Sequence, residues 1–373
     1  MSREPQLGLS PKEFWRGLIE PSAPALLIAL GVCAAPLLAL CLTLEPASFA
    51  GEKSRVLMID DLDTHARAMG KAFALQQGDE PPPNVILLGT STAERTLSGE
   101  GALAVLIDSD RPPVVYNLCT DQQTSWEAAA IMDNVGSYLN GVLVIGVTPA
   151  GLGHGLSGGY VSLDSLLNSP RLGLPSPSFD EEVRRTGLSA PHRTGVYAVD
   201  VRRFLLARRS AIRKNLMADP PSYGDPMEAG WMKAVNNQKH WDQEIAALPT
   251  VAELFDTNSP MHLGVITRMA ERVRGEAASA KIILMASPIN PKWYDIPEGR
   301  AFHERYLSTL RHFAEEHDMG FLNIGAEAGL TRTDFVDYEG HISNLDAQRR
   351  TMAALAARVA EELAAEPEPE AAP

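Results

Sequence analysis

The sequence predicts an α/β domain with a central parallel sheet covered by helices on both faces, a three-layer arrangement behind one N-terminal transmembrane helix. Three observations carry this prediction. Short continuous apolar runs end in glycine or polar turns, as strands buried on both faces do. Helical patterns alternate with those runs, the signature of parallel strands joined by crossover helices. Residues 23–44 carry no charge at all.

The N-terminal stretch comes first. Residues 23–44 cover a hydrocarbon core of roughly 30 Å at about 1.5 Å of rise per residue. Pro24 and Pro36 are tolerated in a membrane helix. Arg3, Lys12 and Arg16 precede the stretch; Glu45 follows at once and Lys53 comes later. That bias places residues 1–22 in the cytoplasm and the remainder outside it. A cleaved signal peptide is the rival, since Ser48-Phe49-Ala50 before Gly51 offers small residues to a peptidase. The apolar run exceeds the usual signal core of about 7–15 residues, which favours the anchor. A buried helix of a cytosolic protein is the third reading.

Residues 45–83 read as a stalk or linker, with Met58, Leu62 and Met69 as apolar helix positions and a Pro-rich loop over 76–84. The domain proper is expected over 84–365. Its strands fall at Val85-Ile86-Leu87-Leu88, Val114-Val115-Tyr116, Val142-Leu143-Val144-Ile145 and Ile282-Ile283-Leu284-Met285, with a short fifth at Phe321-Leu322 and Ile324. Helices are expected from Trp126 behind Ser125 as cap, over 260–278, over 298–317, and from Leu345 behind Asn344 as cap. Leu345, Met352, Leu355, Val359 and Leu363 mark the buried stripe of the last one.

Residues 157–259 break the alternation and read as a helical insertion or lid. Within it Arg202, Arg203, Arg208, Arg209, Arg213 and Lys214 interleave with Phe204, Leu205, Leu206 and Ile212. Such a pattern suits an anionic lipid surface, an acidic polymer or a plain solvated helix face. The tail, 366–373, contains only Glu, Pro and Ala and is expected to be disordered.

Composition narrows the function classes. The net charge of −14 argues against nucleic acid, which needs concentrated Lys and Arg. A hydrophobic fraction of 45% fills a core without making a multi-span membrane protein. Of the three cysteines, Cys33 and Cys41 lie in the apolar run and Cys119 stands alone, so the domain has no disulfide framework. An extracytoplasmic domain without disulfides fits a bacterial envelope. Val32 and Leu40 before the two early cysteines speak against a lipoprotein signal. No Cys/His/Asp cluster has metal-ligand spacing, His312 and His317 included, and no cofactor fingerprint occurs.

The residues with chemistry lie at two distant places. Gly89-Thr90-Ser91 follows the first strand directly and leads into Thr92-Ala93-Glu94. A serine there projects at the carboxyl edge of the sheet, with a helix start behind it whose N–H groups suit an oxyanion. The second place is Asp334-Phe335-Val336-Asp337-Tyr338-Glu339-Gly340-His341, just before the last helix. Together they read as a hydrolase triad in which His341 takes the proton of Ser91 and Asp337 orients the imidazole. His154, in Gly151-Leu152-Gly153-His154-Gly155, is a substrate-contact candidate in what otherwise reads as a flexible loop.

These motifs resemble the SGNH or GDSL family of esterases and acyltransferases. Within it the chain is most similar to the membrane-anchored D-alanyl transfer proteins, whose Pro-Val-Asn-x-Lys-Trp-Tyr-Asp-like stretch matches Pro288-Ile289-Asn290-Pro291-Lys292-Trp293-Tyr294-Asp295. The family spaces its acid and histidine as Asp-x-x-His. Here Asp337 precedes His341 by four and Tyr338 holds the expected place, so Asp334 and Glu339 are rival acids. The family's second oxyanion residue, usually Gly, should fall in Asn117-Leu118-Cys119-Thr120-Asp121, and its third, often Asn, in Gly146-Val147-Thr148-Pro149; neither residue type is there. The resemblance therefore implies an oxyanion or substrate role for Gly89, Asn117, Thr120 and Trp293, with the Ser91 N–H and a donor near Thr120.

The expected function is a membrane-anchored O-acyl esterase or acyltransferase on a cell-envelope polysaccharide or related polymer, with its domain outside the bacterial inner membrane. The resemblance implies a membrane-bound O-acyltransferase as partner. The alternative is a non-catalytic scaffold of the same fold that binds a glycan or that partner. A solute-binding protein is a third reading, and it requires Ser91 far from His341.

Overall fold

The computed structural model describes residues 23–43, 46–97, 99–157, 161–188, 203–224 and 238–365. The expected cytoplasmic segment, 1–22, and the tail, 366–373, lie outside the described residues. Two compact units are present, Met1–Glu45 and Pro46–Pro373.

In the first unit a 21-residue helix, Ala23–Thr43, follows the uncharged stretch. Its described side chains, those of residues 23–32 and 35, are exposed. Among the residues whose side chains are described, no helix is long and apolar enough to cross a membrane.

The second unit is built on one five-stranded sheet. Strands β1 (Val85–Leu88), β2 (Val115–Asn117), β3 (Val142–Val147), β4 (Lys281–Ala286) and β5 (Gly320–Asn323) lie in the order β2-β1-β3-β4-β5, all parallel. Every strand lies on its expected run, within about two residues at either end. From β1 the chain moves to β2 on one side and then to β3 on the other, so the topological switch point falls between β1 and β3. That crevice is where open parallel sheets place their sites, and Gly89-Thr90-Ser91 stands at it.

Alternation sends successive side chains to opposite faces. Ile86, Leu88, Leu143, Ile145 and Leu284 join one core, with residues of the helices Thr64–Gln77, Ser125–Val135, Gln238–Glu276 and Pro297–Glu316. Val85, Leu87, Val142, Val144, Ile283 and Met285 join the other, with the helices Glu100–Ile107 and Leu345–Ala364. Each such side chain, fully buried, contributes about 1.5–3 kcal/mol of transfer free energy. The result is the three-layer α/β/α arrangement.

Three local expectations are corrected. Residues 46–83 do not form a stalk: Leu57, Met58, Met69, Phe73 and Leu75 are in the core, and the helix Thr64–Gln77 packs against the Ser125–Val135 helix. The cap of that second helix is Thr124, whose hydroxyl accepts from Glu127 N while Thr124 N donates to the Glu127 carboxylate; Ser125 is its first residue. In the last helix Leu345 and Leu363 are 54% and 38% exposed, so the buried stripe is Met352, Leu355 and Val359. Asn344 caps it as expected, accepting from Ala347 N.

The insertion is bounded differently as well. Pro260 does not start a helix; one helix runs Gln238–Glu276 through Pro249 and Pro260. Its buried residues Trp241, Leu248, Phe255, His262 and Met269 recur every seven positions across both prolines. That continuous packing stripe outweighs the local cost of proline, about 3 kcal/mol in a free helix. The basic cluster is split too. Arg208 is buried and ion-paired to Asp63 while donating to the Leu57 carbonyl (2.6 Å), whereas Arg209, Arg213 and Lys214 stay exposed. Arg202 lies outside the described residues.

Candidate active site

The structure brings the two distant motifs together. Ser91 opens the short helix Ser91–Glu94 at the end of β1, and its Oγ lies 2.8 Å from His341 Nε2. On the other side of the ring, His341 Nδ1 lies 2.5 Å from Asp337 Oδ2. An ionised carboxylate only accepts, so Nδ1 carries the proton and Nε2 receives the Ser91 hydroxyl. This is the relay a serine hydrolase needs, and it is the opposite of the separation a solute-binding reading requires.

The extra residue between acid and base has a structural reason. Asp337 Oδ1 accepts from three successive backbone N–H groups, those of Glu339, Gly340 and His341, each at 3.1 Å. The turn is closed by Val336 N donating to His341 O (2.9 Å) and by the Phe335–Ile342 bridge. Gly340 adopts φ +110°, and a Cβ there would sit 2.1 Å from Pro288 O. Burial works to raise the Asp337 pKa, but the hydrogen bonds from His341 and the backbone outweigh it and hold the carboxyl below its ordinary value. His341 Nδ1 is held by Asp337 and not by either rival acid. Asp334 accepts from Thr331 N and pairs with Arg350, and Glu339 is exposed. Asp337, Glu339 and His341 lie close enough for a metal, yet both ring nitrogens of His341 already face Asp337 and Ser91.

The Pro288–Asp295 motif acts on this turn. Asn290 Nδ2 donates to the Asp337 carbonyl (2.8 Å), and Trp293 Nε1 donates to the Tyr338 carbonyl (2.9 Å). Tyr338 makes tilted ring contacts with Trp241 and His240, and the Lys292 ammonium sits over its ring. Trp293 is therefore a positioning residue that also lines the cavity beside the serine. Asn290 was not singled out from the sequence, although it stands inside the quoted motif.

The other expected oxyanion residues are committed elsewhere. Gly89 N donates to Gln123 Oε1 (2.7 Å), Thr120 N to the Gly89 carbonyl (3.0 Å), and Asn117 N to Glu100 Oε1 (2.6 Å). Gly89 is needed for space: at φ +149°, a Cβ would press within 2.9 Å of the Gly146 carbonyl. What remains is the N–H of Ser91 itself, which at a helix start has no carbonyl one turn back to receive it.

Ser91 lies on two cavities. One, of about 550 Å³, is shared with His341, His154, Trp293 and Phe302 and is walled by Leu248 and Val251 of the long helix. The other, of about 420 Å³, carries charged side chains, Asp60, Asp61, Arg67, Arg95 and Asp121 among others. The 151–155 loop edges the first cavity, held by Asn258 Nδ2 on the Gly153 carbonyl and His262 Nε2 on the His154 carbonyl. The long helix as a cavity wall was invisible in the sequence, because its cavity-facing residues look like ordinary core positions.

The sequence matches no protein-family model, and no curated protein matches it. The functional reading rests on the geometry of the site.

Proposed function

We propose that this chain is a serine O-acyl esterase or acyltransferase of SGNH type. In this reading the helix Ala23–Thr43 anchors it in the bacterial inner membrane, and it works outside the cytoplasm on an envelope polysaccharide or related polymer. The observation that carries the chemistry is the unbroken relay Ser91–His341–Asp337 at the switch point of the sheet. The anchor is supported by the lack of charge over 23–44 and by the 21 residues of the helix, about 31 Å of rise. A membrane-bound O-acyltransferase is the partner this reading implies.

The reaction follows from the relay. Ser91 Oγ attacks the acyl carbonyl as its proton passes to His341 Nε2. The Ser91 N–H meets the charge that collects on the carbonyl oxygen. The imidazolium, held by Asp337, returns the proton to the departing alkoxide and leaves the acyl group on Ser91. A water or an acceptor hydroxyl then gives its proton to His341 while its oxygen attacks the acyl carbon. Collapse releases Ser91, which recovers the proton. The scheme calls for no cofactor.

The test is release of p-nitrophenol from p-nitrophenyl acetate, alongside labelling by a fluorophosphonate. Wild type should turn over and label, and Ser91→Ala and His341→Ala should do neither. A wild-type protein that neither labels nor turns over sinks the enzyme reading. A second reading, a non-catalytic scaffold, is favoured by one observation: the N–H groups of Gly89 and Thr120 are already bonded. It predicts glycan or partner binding that survives Ser91→Ala.

A further inference from the structure

We infer that the 550 Å³ cavity is an acyl-chain site for uncharged acyl groups several carbons longer than acetyl. The inference rests on the esterase reading above and deepens it to a substrate class.

Position is the first argument. The cavity is lined by both Ser91 and His341, so a group that fills it lies beside the carbon under attack. Shape is the second. Leu248, Val251 and Leu254 recur every third residue along one helix and form a continuous apolar strip on that wall. The strip grades from floor to mouth, Leu248 being 6% exposed and Leu254 45%. Trp293 and Phe302, both buried, line the same cavity. The exposed part of this apolar strip, at Val251 and Leu254, is surface that an alkyl chain would remove from water, at about 25 cal/mol per Å². A volume of this size fits a whole small ligand, far more than a methyl group.

Charge is the third argument. Among the described residues lining this cavity there is no Lys or Arg, while Glu244 and Glu339 both line it. Burial lowers the pKa of His154 and takes that of His303 down to about 4, so both imidazoles are neutral at pH 7. A dicarboxylic acyl group such as succinyl would meet two carboxylates and no cation. The second cavity at Ser91 supplies the contrast: its walls carry arginines and aspartates, which suit a hydroxylated alcohol portion rather than an alkyl chain.

The experiment uses the full-length chain in detergent. It compares kcat/KM for p-nitrophenyl acetate, butyrate, hexanoate and octanoate, and for a p-nitrophenyl succinate monoester. Wild type should improve by up to about fourfold per added methylene until the cavity is full, and should discriminate against succinyl. Val251→Trp, which fills the cavity from a half-exposed helix face, should lower the octanoate-to-acetate ratio at least about tenfold. That ratio is independent of how much of the variant is active. Leu254→Arg should raise the succinate-to-butyrate ratio. Ser91-dependent turnover with a flat chain-length profile, or with a ratio that Val251→Trp leaves unmoved, overturns this inference alone. No turnover and no labelling of wild type overturns the esterase reading and this inference with it.

Discussion

Among the described residues two serine–histidine pairs are hydrogen-bonded, and they are built to opposite ends. Ser91 Oγ meets His341 Nε2 at 2.8 Å, and Ser125 Oγ meets His262 Nδ1 at 2.6 Å. By distance alone the second is the better pair. The difference lies behind the ring. His341 is backed by the Asp337 carboxylate, which stabilises an imidazolium, whereas His262 Nε2 is backed by the neutral carbonyl of His154 at 2.8 Å. Burial takes His262 down to about 4, and its ring lies tilted against Trp126, with centroids 4.7 Å apart. The cavity at Ser125 holds only about 30 Å³, against about 550 Å³ at Ser91. One pair is backed by a carboxylate and opens on a large cavity; the other pins the long helix to the 151–155 loop. A hydrogen bond between serine and histidine is thus no sign of catalysis without a charged partner and access.

The largest expected effect breaks this comparison directly. Ser91→Ala or His341→Ala should lower esterase kcat by about 10⁴-fold or more. Ser125→Ala should keep kcat within about tenfold. Equal losses in both pairs, measured on p-nitrophenyl acetate, would erase the distinction. Next comes the charge behind the ring. Asp337→Asn should cost about 10²- to 10⁴-fold in kcat by presenting the wrong tautomer. Asp334→Asn and Glu339→Gln should change it only severalfold. Activity that follows Asp334 or Glu339 instead would reassign the acid.

Smaller effects sharpen the structural side. Gly340→Ala places a Cβ against the Pro288 carbonyl at a positive φ, so unfolding free energy should fall by about 2–4 kcal/mol, with activity impaired in the folded fraction. Gly329→Ala, also at positive φ but with nothing within 4 Å, should cost only about 1 kcal/mol. The pH dependence comes last. Burial holds His65, His262 and His303 at about 4, below the ordinary value of 6.5. The unfolded chain therefore binds protons that the native chain refuses. Stability should be flat above pH 6.5 and fall as pH drops from 6.5 to 4, steepening the urea midpoint shift in that window. His262→Phe should make that fall shallower. Asp63, Glu127 and Asp337 are held below their ordinary values and act lower, losing their contribution as pH falls through those native values.

The sheet was legible in the sequence because its strands are continuous apolar runs, and burial on both faces leaves no other use for such runs. Ser91 was legible for the same reason, as the polar residue at a strand's carboxyl end. Asp337 was the favoured acid in the sequence, yet its spacing from His341 could not decide against Asp334 and Glu339. That decision came from the turn, where three N–H groups grip one carboxylate oxygen and Arg350 draws Asp334 away. The stalk reading failed because a helix with sparse apolar residues looks free until alanines such as Ala66, Ala68 and Ala72 are seen packed at zero exposure. The oxyanion expectations failed because a backbone N–H leaves no trace in sequence of where it points.

By itself the sequence determined the parallel sheet and the uncharged N-terminal helix, and it singled out Ser91 and His341. Each of those is written in local pattern: hydrophobic period, charge and turn chemistry. Only the tertiary structure decided which acid completes the relay, which serine–histidine pair faces a cavity, and which wall that cavity has. Those are matters of what lies across space from a residue, and contacts between Ser91 and His341, or between Leu248 and the site, join positions too distant along the chain for any local pattern to record.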